Sequence, residues 1–362
     1  MKKVLVIITT DFVPFGGLTT VMMNYYRKIN KDNIKMDFAS TNSDIDDKLI
    51  TELKNNNSAY YCLGNRKKKL ISYLVNLYKL LKTNSYDIIH VNSNSATATF
   101  ELSIARFAGV KKRIVHNHTS RCDYKRLHKL LFPIFKHMYT DAIACSDKAG
   151  QWIFENNSYE VLNNGIDTEK YKFDDLKRKN IRSIYKIEDE CILIGHVGKI
   201  YEPKNHPFLI DVFKIIHDEF SNTKLMLVGD GEMRNQIEKQ IHDLKLDNNV
   251  ILVGMQNEVV DFLCAMDLFV FPSIWEGLPL SVVEAQATGL QCIISKNIDD
   301  TVCITDSVKM LPIDSKKVWY EEYKKYKKND RKVISNRNIE MIKKAGFDSG
   351  LNVFKLEDLY LR

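Results

Sequence analysis

Short apolar runs recur along this chain with helix-patterned segments between them. Their spacing of roughly 20 to 30 residues is what βαβ units and a parallel sheet require. In the first half the runs fall at residues 4–9, 35–39, 59–62, 87–91, 113–117 and 141–146, with helical stretches such as 18–28, 69–81 and 125–137. The pattern restarts at 191–197 and continues at 225–228, 250–253, 268–271 and 291–295. Two doubly wound α/β units in tandem are the economical reading. The join falls in the turn-rich Asn163-Asn164-Gly165-Ile166-Asp167. A charge-dense stretch, 174–180, follows it. Residues 316–344 then read as helical, Gly346 breaks them, and 351–361 resume helical spacing.

A length of 362 residues suits two domains. No apolar run approaches the ~20 residues of a spanning helix. The start, Met1-Lys2-Lys3 before an apolar stretch, resembles a signal peptide only superficially and reads as a buried first strand. The seven cysteines are odd in number and form no Cys-x-x-Cys pair. Most read as buried reduced thiols in a cytoplasmic protein rather than as a disulfide framework or a zinc site. The net charge of +7 fits an anionic ligand or an anionic membrane surface and is too scattered for nucleic acid.

In a doubly wound sheet, ligands bind beyond the carboxyl ends of the strands. Chemistry-bearing residues crowd four such places. After 268–271 comes Pro272-Ser273-Ile274-Trp275-Glu276-Gly277-Leu278-Pro279-Leu280-Ser281-Val282-Val283-Glu284-Ala285. A helix starting near Pro279 would offer backbone amides to an anion, and Glu276 and Glu284 could hold sugar hydroxyls. After 191–197 comes Gly198-Lys199-Ile200-Tyr201-Glu202-Pro203-Lys204-Asn205, whose two cations could bind a diphosphate. After the first run comes Phe15-Gly16-Gly17-Leu18, a glycine pair opening a helix, which is neither a dinucleotide fingerprint nor a P-loop. His116-Asn117-His118-Thr119 ends the 113–117 run. Both imidazoles share a face if the strand runs through Thr119, and only one need face a ligand if it ends between them. Each of these also has a plain structural reading as a helix cap, a solvated lysine, a loop or a core histidine.

Two basic stretches stand apart. Arg66-Lys67-Lys68-Lys69 leads into 70–81. Arg121 to His137 mixes Lys125, Arg126, Lys129 and Lys136 with Leu127, Leu130, Leu131, Phe132, Ile134 and Phe135. Such helices either lie on anionic lipid or pack their apolar stripe on the sheet.

Taken together, these motifs resemble the family-4 retaining glycosyltransferases of GT-B fold. The resemblance rests on Glu276-x7-Glu284 in its Glu-Gly-Leu-Pro-Leu setting, Val197-Gly198-Lys199 with Lys204-Asn205, and Val228-Gly229-Asp230-Gly231. Asn164-Gly165-Ile166-Asp167 and Gly16-Gly17 add to it. Ala144-Cys145-Ser146 with Gly150-Gln151-Trp152 is similar to the subgroup that builds bacterial capsule and exopolysaccharide. The resemblance implies two Rossmann-like domains facing a cleft, at 1–165 and 166–345, and a last helix in 346–362 crossing back to the first. It implies a hexosyltransferase that binds a nucleotide-sugar, UDP for most of the subgroup, mainly through the second domain. Carried across, Glu284 would hold the ribose and Glu276 the donor sugar, with Gly277, Leu278, Pro279 and Leu280 beside it. Lys199 and Lys204 would neutralise the departing diphosphate. Gly16, Gly17 and Gly198 would line the donor, and His118 would sit near the transferred sugar. No metal or resident cofactor is implied, and Asp44-x-Asp46 lies among loop residues of the first half. The acceptor would be a saccharide, lipid-linked at the inner face of the cytoplasmic membrane. The family's usual arginine after Gly198 is Lys199 here, a point charge in place of a planar fork. Two alternatives stay open: a sugar-nucleotide epimerase of the same architecture, and an inactive scaffold subunit of a polysaccharide-synthesis complex.

Overall fold

The computed structural model describes residues 1–14, 16–119, 122 and 124–362. Phe15 and Arg121, singled out above, lie outside the described residues. The chain divides into two compact units, Met1–Gly165 with Gly346–Arg362, and Ile166–Ala345.

The first unit runs β1 (Lys2–Ile8), α1 (Gly17–Lys28), β2 (Ile34–Ser40), α2 (Asp47–Asn55), β3 (Tyr60–Cys62), α3 (Leu70–Asn84) and β4 (Ile88–Ser93). It continues with α4 (Thr99–Ala108), β5 (Lys112–Asn117), α5 (Lys125–Phe135), β6 (Asp141–Ala144), α6 (Asp147–Phe154) and β7 (Glu160–Val161). The strands form one parallel sheet in the order β3-β2-β1-β4-β5-β6-β7. Val4 to Ile8 are fully buried, because β1 is covered on both faces. The chain winds outward from β1 to β3, then from β4 to β7. Right-handed crossovers therefore put α1 and α2 on one face and α3 to α6 on the other. Tyr73, Leu77, Leu102, Phe135 and Phe154, all from the second face, share one core. The reversal of winding falls between β1 and β4. Asp46 caps α2 by accepting from the amides of Lys48 and Leu49, a structural role for the second member of the Asp-x-Asp pair.

The second unit runs α7 (Asp175–Ile184), β8 (Ile192–Val197), α8 (His206–Glu219), β9 (Thr223–Val228), α9 (Arg234–Asp243), β10 (Val250–Gly254) and α10 (Val259–Ala265). It ends with β11 (Leu268–Phe271), α11 (Leu280–Ala287), β12 (Gln291–Ser295), β13 (Val308–Leu311), α12 (Lys316–Tyr323) and α13 (Arg331–Lys344). Its parallel sheet has the order β10-β9-β8-β11-β12-β13, so its winding reverses between β8 and β11. The charge-dense stretch after the join is the start of α7, capped by Asp174. Its Arg178 and Arg182 reach Asp267 at 2.7 and 3.1 Å, which pins the beginning of β11.

The final helix, α14 (Ser349–Leu361), belongs to the first unit and packs along α1. Two features differ from the sequence reading. The 316–344 stretch is not one helical run: α12 ends at Tyr323, and α13 restarts at a new cap, Asp330. The edge strands β7 and β13 carry no long apolar run, because an edge strand is partly exposed.

Candidate functional site

The crevice at the reversal point of the second sheet is formed by the loops that leave β8 and β11. Those loops are tied together by backbone and amide bonds. Asn205 Nδ2 donates to the Pro272 carbonyl at 3.1 Å, and the Ile274 amide donates to the Pro203 carbonyl at 2.8 Å. Asn205 itself is left-handed (φ 58°), a conformation asparagine tolerates, and this turns the chain into α8. The staple brings Lys204 to Glu276, with Nζ 2.8 Å from Oε1. The side chains are 12% and 16% exposed, so the pair is shielded from solvent on most sides. The carboxylate oxygen lies off a good hydrogen-bond axis, and the attraction is mainly Coulombic. Lys204 Nζ also stands 4.3 Å over the Phe271 ring. Burial pulls the Lys204 pKa down, and Glu276 pulls it back up.

Gly198 lies against this pair: a Cβ there would stand 3.0 Å from the Lys204 side chain. Behind it, Gly229 (φ +138°) is obligatory, since a Cβ would come within 2.1 Å of the Gly198 carbonyl oxygen. The strand-end glycines therefore let two loops stack where a ligand would approach. Lys199 does not join Lys204. It is 60% exposed and paired with the equally exposed Glu232 at 2.9 Å.

Glu276 lies in the loop before α11, and Glu284 on the helix itself. Pro279 stands at the N-cap and has no side chain able to cap, so the amides at Leu280 and beyond face the crevice end of the helix. This places the helix start one residue later than Pro279. Gly277 is exposed, with open space where a Cβ would be. Glu284 is 8% exposed, and burial pushes its pKa up to about 7 against the opposing effects of a Tyr171 hydrogen bond and of Lys170. Tyr171 was not singled out in the sequence; it lies just past the join, in a stretch with no motif.

In the first unit, Gly16 is the N-cap of α1 and Gly17 its first residue. A Cβ on Gly17 would meet nothing within 4 Å, so no packing inside the unit demands glycine there. His116 and His118 point the same way, their ring centroids 3.9 Å apart. His116 is fully buried and His118 half-buried, so His118 is the one that reaches outward. Burial holds the His118 pKa down to about 4, opposed by a hydrogen bond to Asn164. Behind His116 sits His90, and behind His90 the hydroxyl of Tyr360 on α14, at 2.6 Å from Nδ1. Nothing in the sequence linked these residues, because they come from β4, β5 and the far end of the chain.

The site residues thus form two groups. Lys204, Glu276, Gly198, Lys199, Gly277 to Leu280 and Glu284 lie at the reversal point of the second sheet. Gly16, Gly17 and His118 lie at strand ends of the first. The first group can hold an anion beside a polyhydroxyl ligand: an ammonium and helix-start amides for phosphate, carboxylates for hydroxyls.

Residues 177–318 match the family described as Glycosyl transferases group 1, and residues 15–170 match Glycosyltransferase Family 4. The chain is 28% identical over 302 residues to a putative glycosyltransferase EpsF of Bacillus subtilis (strain 168), covering 79% of this chain and 78% of that one. It is 34% identical over 251 residues to a UDP-Gal:alpha-D-GlcNAc-diphosphoundecaprenol alpha-1,3-galactosyltransferase of Escherichia coli, covering 64% of this chain and 63% of that one. It is 24% identical over 312 residues to the capsular polysaccharide biosynthesis glycosyltransferase CapH of Staphylococcus aureus, covering 81% and 82%. The crystal structure of Anabaena Alr3699/HepE in complex with UDP shares the fold at a TM-score of 0.77 and 16% identity, with 99% of both chains covered. The architecture is GT-B, with a Glycosyltransferase Family 4 domain in the first half of the chain and a Glycosyl transferases group 1 domain in the second.

Proposed function

We propose that this glycosyltransferase moves a hexosyl group from a UDP-sugar to a lipid-linked saccharide in capsule or exopolysaccharide assembly, with retention of configuration. The observation that carries the reading is the shielded Lys204–Glu276 pair at the reversal point of the second sheet. Opening it provides a cation for a diphosphate and a carboxylate for the adjoining sugar. In the proposed step, the acceptor oxygen bonds to the anomeric carbon from the face the diphosphate leaves. The carbon–phosphate oxygen bond breaks, and the acceptor proton passes to the leaving phosphate oxygen. A protein nucleophile fits less well, since Glu276 is engaged by Lys204 and Glu284 by Tyr171. Catalysis then rests on placement and on the charges of Lys204, Lys199 and the α11 amides, which make a resident metal or cofactor unnecessary.

The diphosphoundecaprenol in the name of the Escherichia coli relative favours a lipid-linked acceptor. So does α5. Its Phe135 is buried, while Leu127, Leu130 and Ile134 are 37%, 72% and 49% exposed among exposed Lys125, Arg126, Lys129 and Lys136. An outward apolar stripe flanked by cations suits anionic headgroups. In the other basic stretch one cation is withdrawn from the surface. Arg66 is turned inward onto the fully buried Glu101. No helix among the described residues is long and apolar enough to cross a membrane.

The test is a panel of sugar nucleotides scored by thermal shift and by release of free nucleotide. A true donor at about 100 Kd should stabilise the folded chain by about 2.7 kcal/mol. The effect should vanish in Glu284→Ala. A well-folded protein silent to the whole panel would favour the scaffold reading, and an altered free sugar made without acceptor would favour the epimerase.

A further inference from the structure

His118 has a hydrogen-bond problem that its neighbours resolve in one way. Nε2 lies 2.8 Å from Asn92 Oδ1, and Nδ1 lies 3.0 Å from Asn164 Oδ1. Both ring nitrogens therefore face an amide, and a neutral imidazole has only one proton to give. Burial keeps the ring neutral near pH 7. One nitrogen must donate and the other accept.

Asn92 decides which. It is fully buried on β4, and its Nδ2 donates to the Ile7 carbonyl at 3.2 Å. Turning that amide over would lose this bond and set two carbonyl oxygens against each other. The Asn92 oxygen therefore stays on His118, and Nε2 carries the proton. Nδ1 is left with its lone pair. Asn164 has no comparable anchor among the described contacts, so it can rotate to offer its NH2 or yield to another donor. Asn164 is also the more outward of the two, 8% exposed against 0% for Asn92. The ring packs against His116, behind which lie His90 and Tyr360.

We propose that Asn92 is a positioning residue that locks His118 as the Nε2–H tautomer, so that Nδ1 presents an acceptor to a hydroxyl of the bound saccharide while Asn164 gives way. The tautomer rests on the anchored Asn92 amide and a neutral, buried ring; the saccharide partner rests on the transferase reading.

The full chain labelled with 15N-histidine tests both parts. The His118 signals are assigned by their loss in His118→Gln. Between pH 6 and 8, Nε2 should resonate as a protonated, pyrrole-type nitrogen and Nδ1 as an unprotonated, pyridine-type one. Asn92→Leu should release the tautomer towards a mixture and lower kcat by about 10- to 100-fold with the donor KM unchanged. Asn164→Leu, a change of the same size, should leave the tautomer in place. A proton on Nδ1 in the unaltered chain would overturn the inference. So would an Asn92→Leu variant with unchanged tautomer and unchanged kcat. If Asn92→Leu does not fold, the unaltered chain still decides the tautomer. Loss of the transferase reading would leave the NMR result standing, so the two failures are distinguishable.

Discussion

If Glu284 holds the ribose as proposed, its charge state links stability to ligand binding. Its carboxyl is raised from an ordinary 4.5 to about 7 because it is buried. A raised folded-state pKa means that the group's contribution to stability is present below 4.5 and lost as the pH rises through about 7. A ribose diol donating to this carboxyl favours the ionised form. UDP affinity should therefore increase from pH 6 to 8, by at most about tenfold per pH unit. Glu284→Gln should show a flat profile, weaker UDP binding, and a higher Tm than the unaltered chain at pH 8 but not at pH 5. Calorimetric titration and thermal scans across that range check each part. Lys199 illustrates a limit of residue-level reading. Its charge and position are evident in the sequence, but its resting partner, Glu232, lies on the loop after β9 and becomes a neighbour only when β8 and β9 pair.

At the scale of elements, the candidate site residues sit in strand-end loops and on the helices those loops open into. Gly17 opens α1 with no packing need for glycine. Gly17→Ala should keep or slightly raise Tm, since alanine is the better helix former by up to about 1 kcal/mol. If the α1 start approaches the donor, the same change should lower turnover several-fold. Unchanged turnover would remove Gly17 from the donor site. For α5, Leu130→Glu alters an exposed position and should change stability by no more than about 0.5 kcal/mol. It should weaken co-sedimentation with vesicles containing phosphatidylglycerol, while zwitterionic vesicles bind neither protein. Equal binding of the two proteins to anionic vesicles would remove α5 as the lipid-facing element. Arg66 shows why a basic run cannot be assigned a partner from sequence. Its guanidinium pairs with Glu101 of α4 beneath the surface, and the pairing follows from α3 and α4 lying side by side.

At the scale of the whole molecule, the buried histidines set an acid limit. Burial lowers His90 to about 3, His118 and His206 to about 4, and His116 and His196 well below the ordinary 6.5. Each is neutral in the native chain and protonated in the unfolded chain below 6.5. A depressed folded-state pKa contributes stability above the unfolded value and loses it as the pH falls through the folded one. Each such group costs about 1.4 kcal/mol per pH unit in that window. The Tm should therefore drop steeply from pH 6.5 to 4.5, in both units, since three of these histidines lie in the first and two in the second. A Tm flat over that interval would contradict the burial of these rings.

By itself the sequence determined the fold class, because apolar runs interrupted by helical stretches leave a chain few arrangements other than doubly wound parallel sheets. It also singled out which loops to examine for chemistry, because strand polarity in a parallel sheet sends the loops after the strands to the same edge. That is why Lys204, Glu276 and Glu284 stand out from their position along the chain. What only the tertiary structure decided is who meets whom. Lys204 meets Glu276 because strand order makes β8 and β11 neighbours across the reversal point, and strand order is not a local property of either motif. Tyr171 under Glu284, Asn92 on His118, and Tyr360 behind His90 have the same origin. The weakly patterned pieces, β7, β13 and the break between α12 and α13, were likewise settled by the fold, because partly exposed segments carry little hydrophobic period to read.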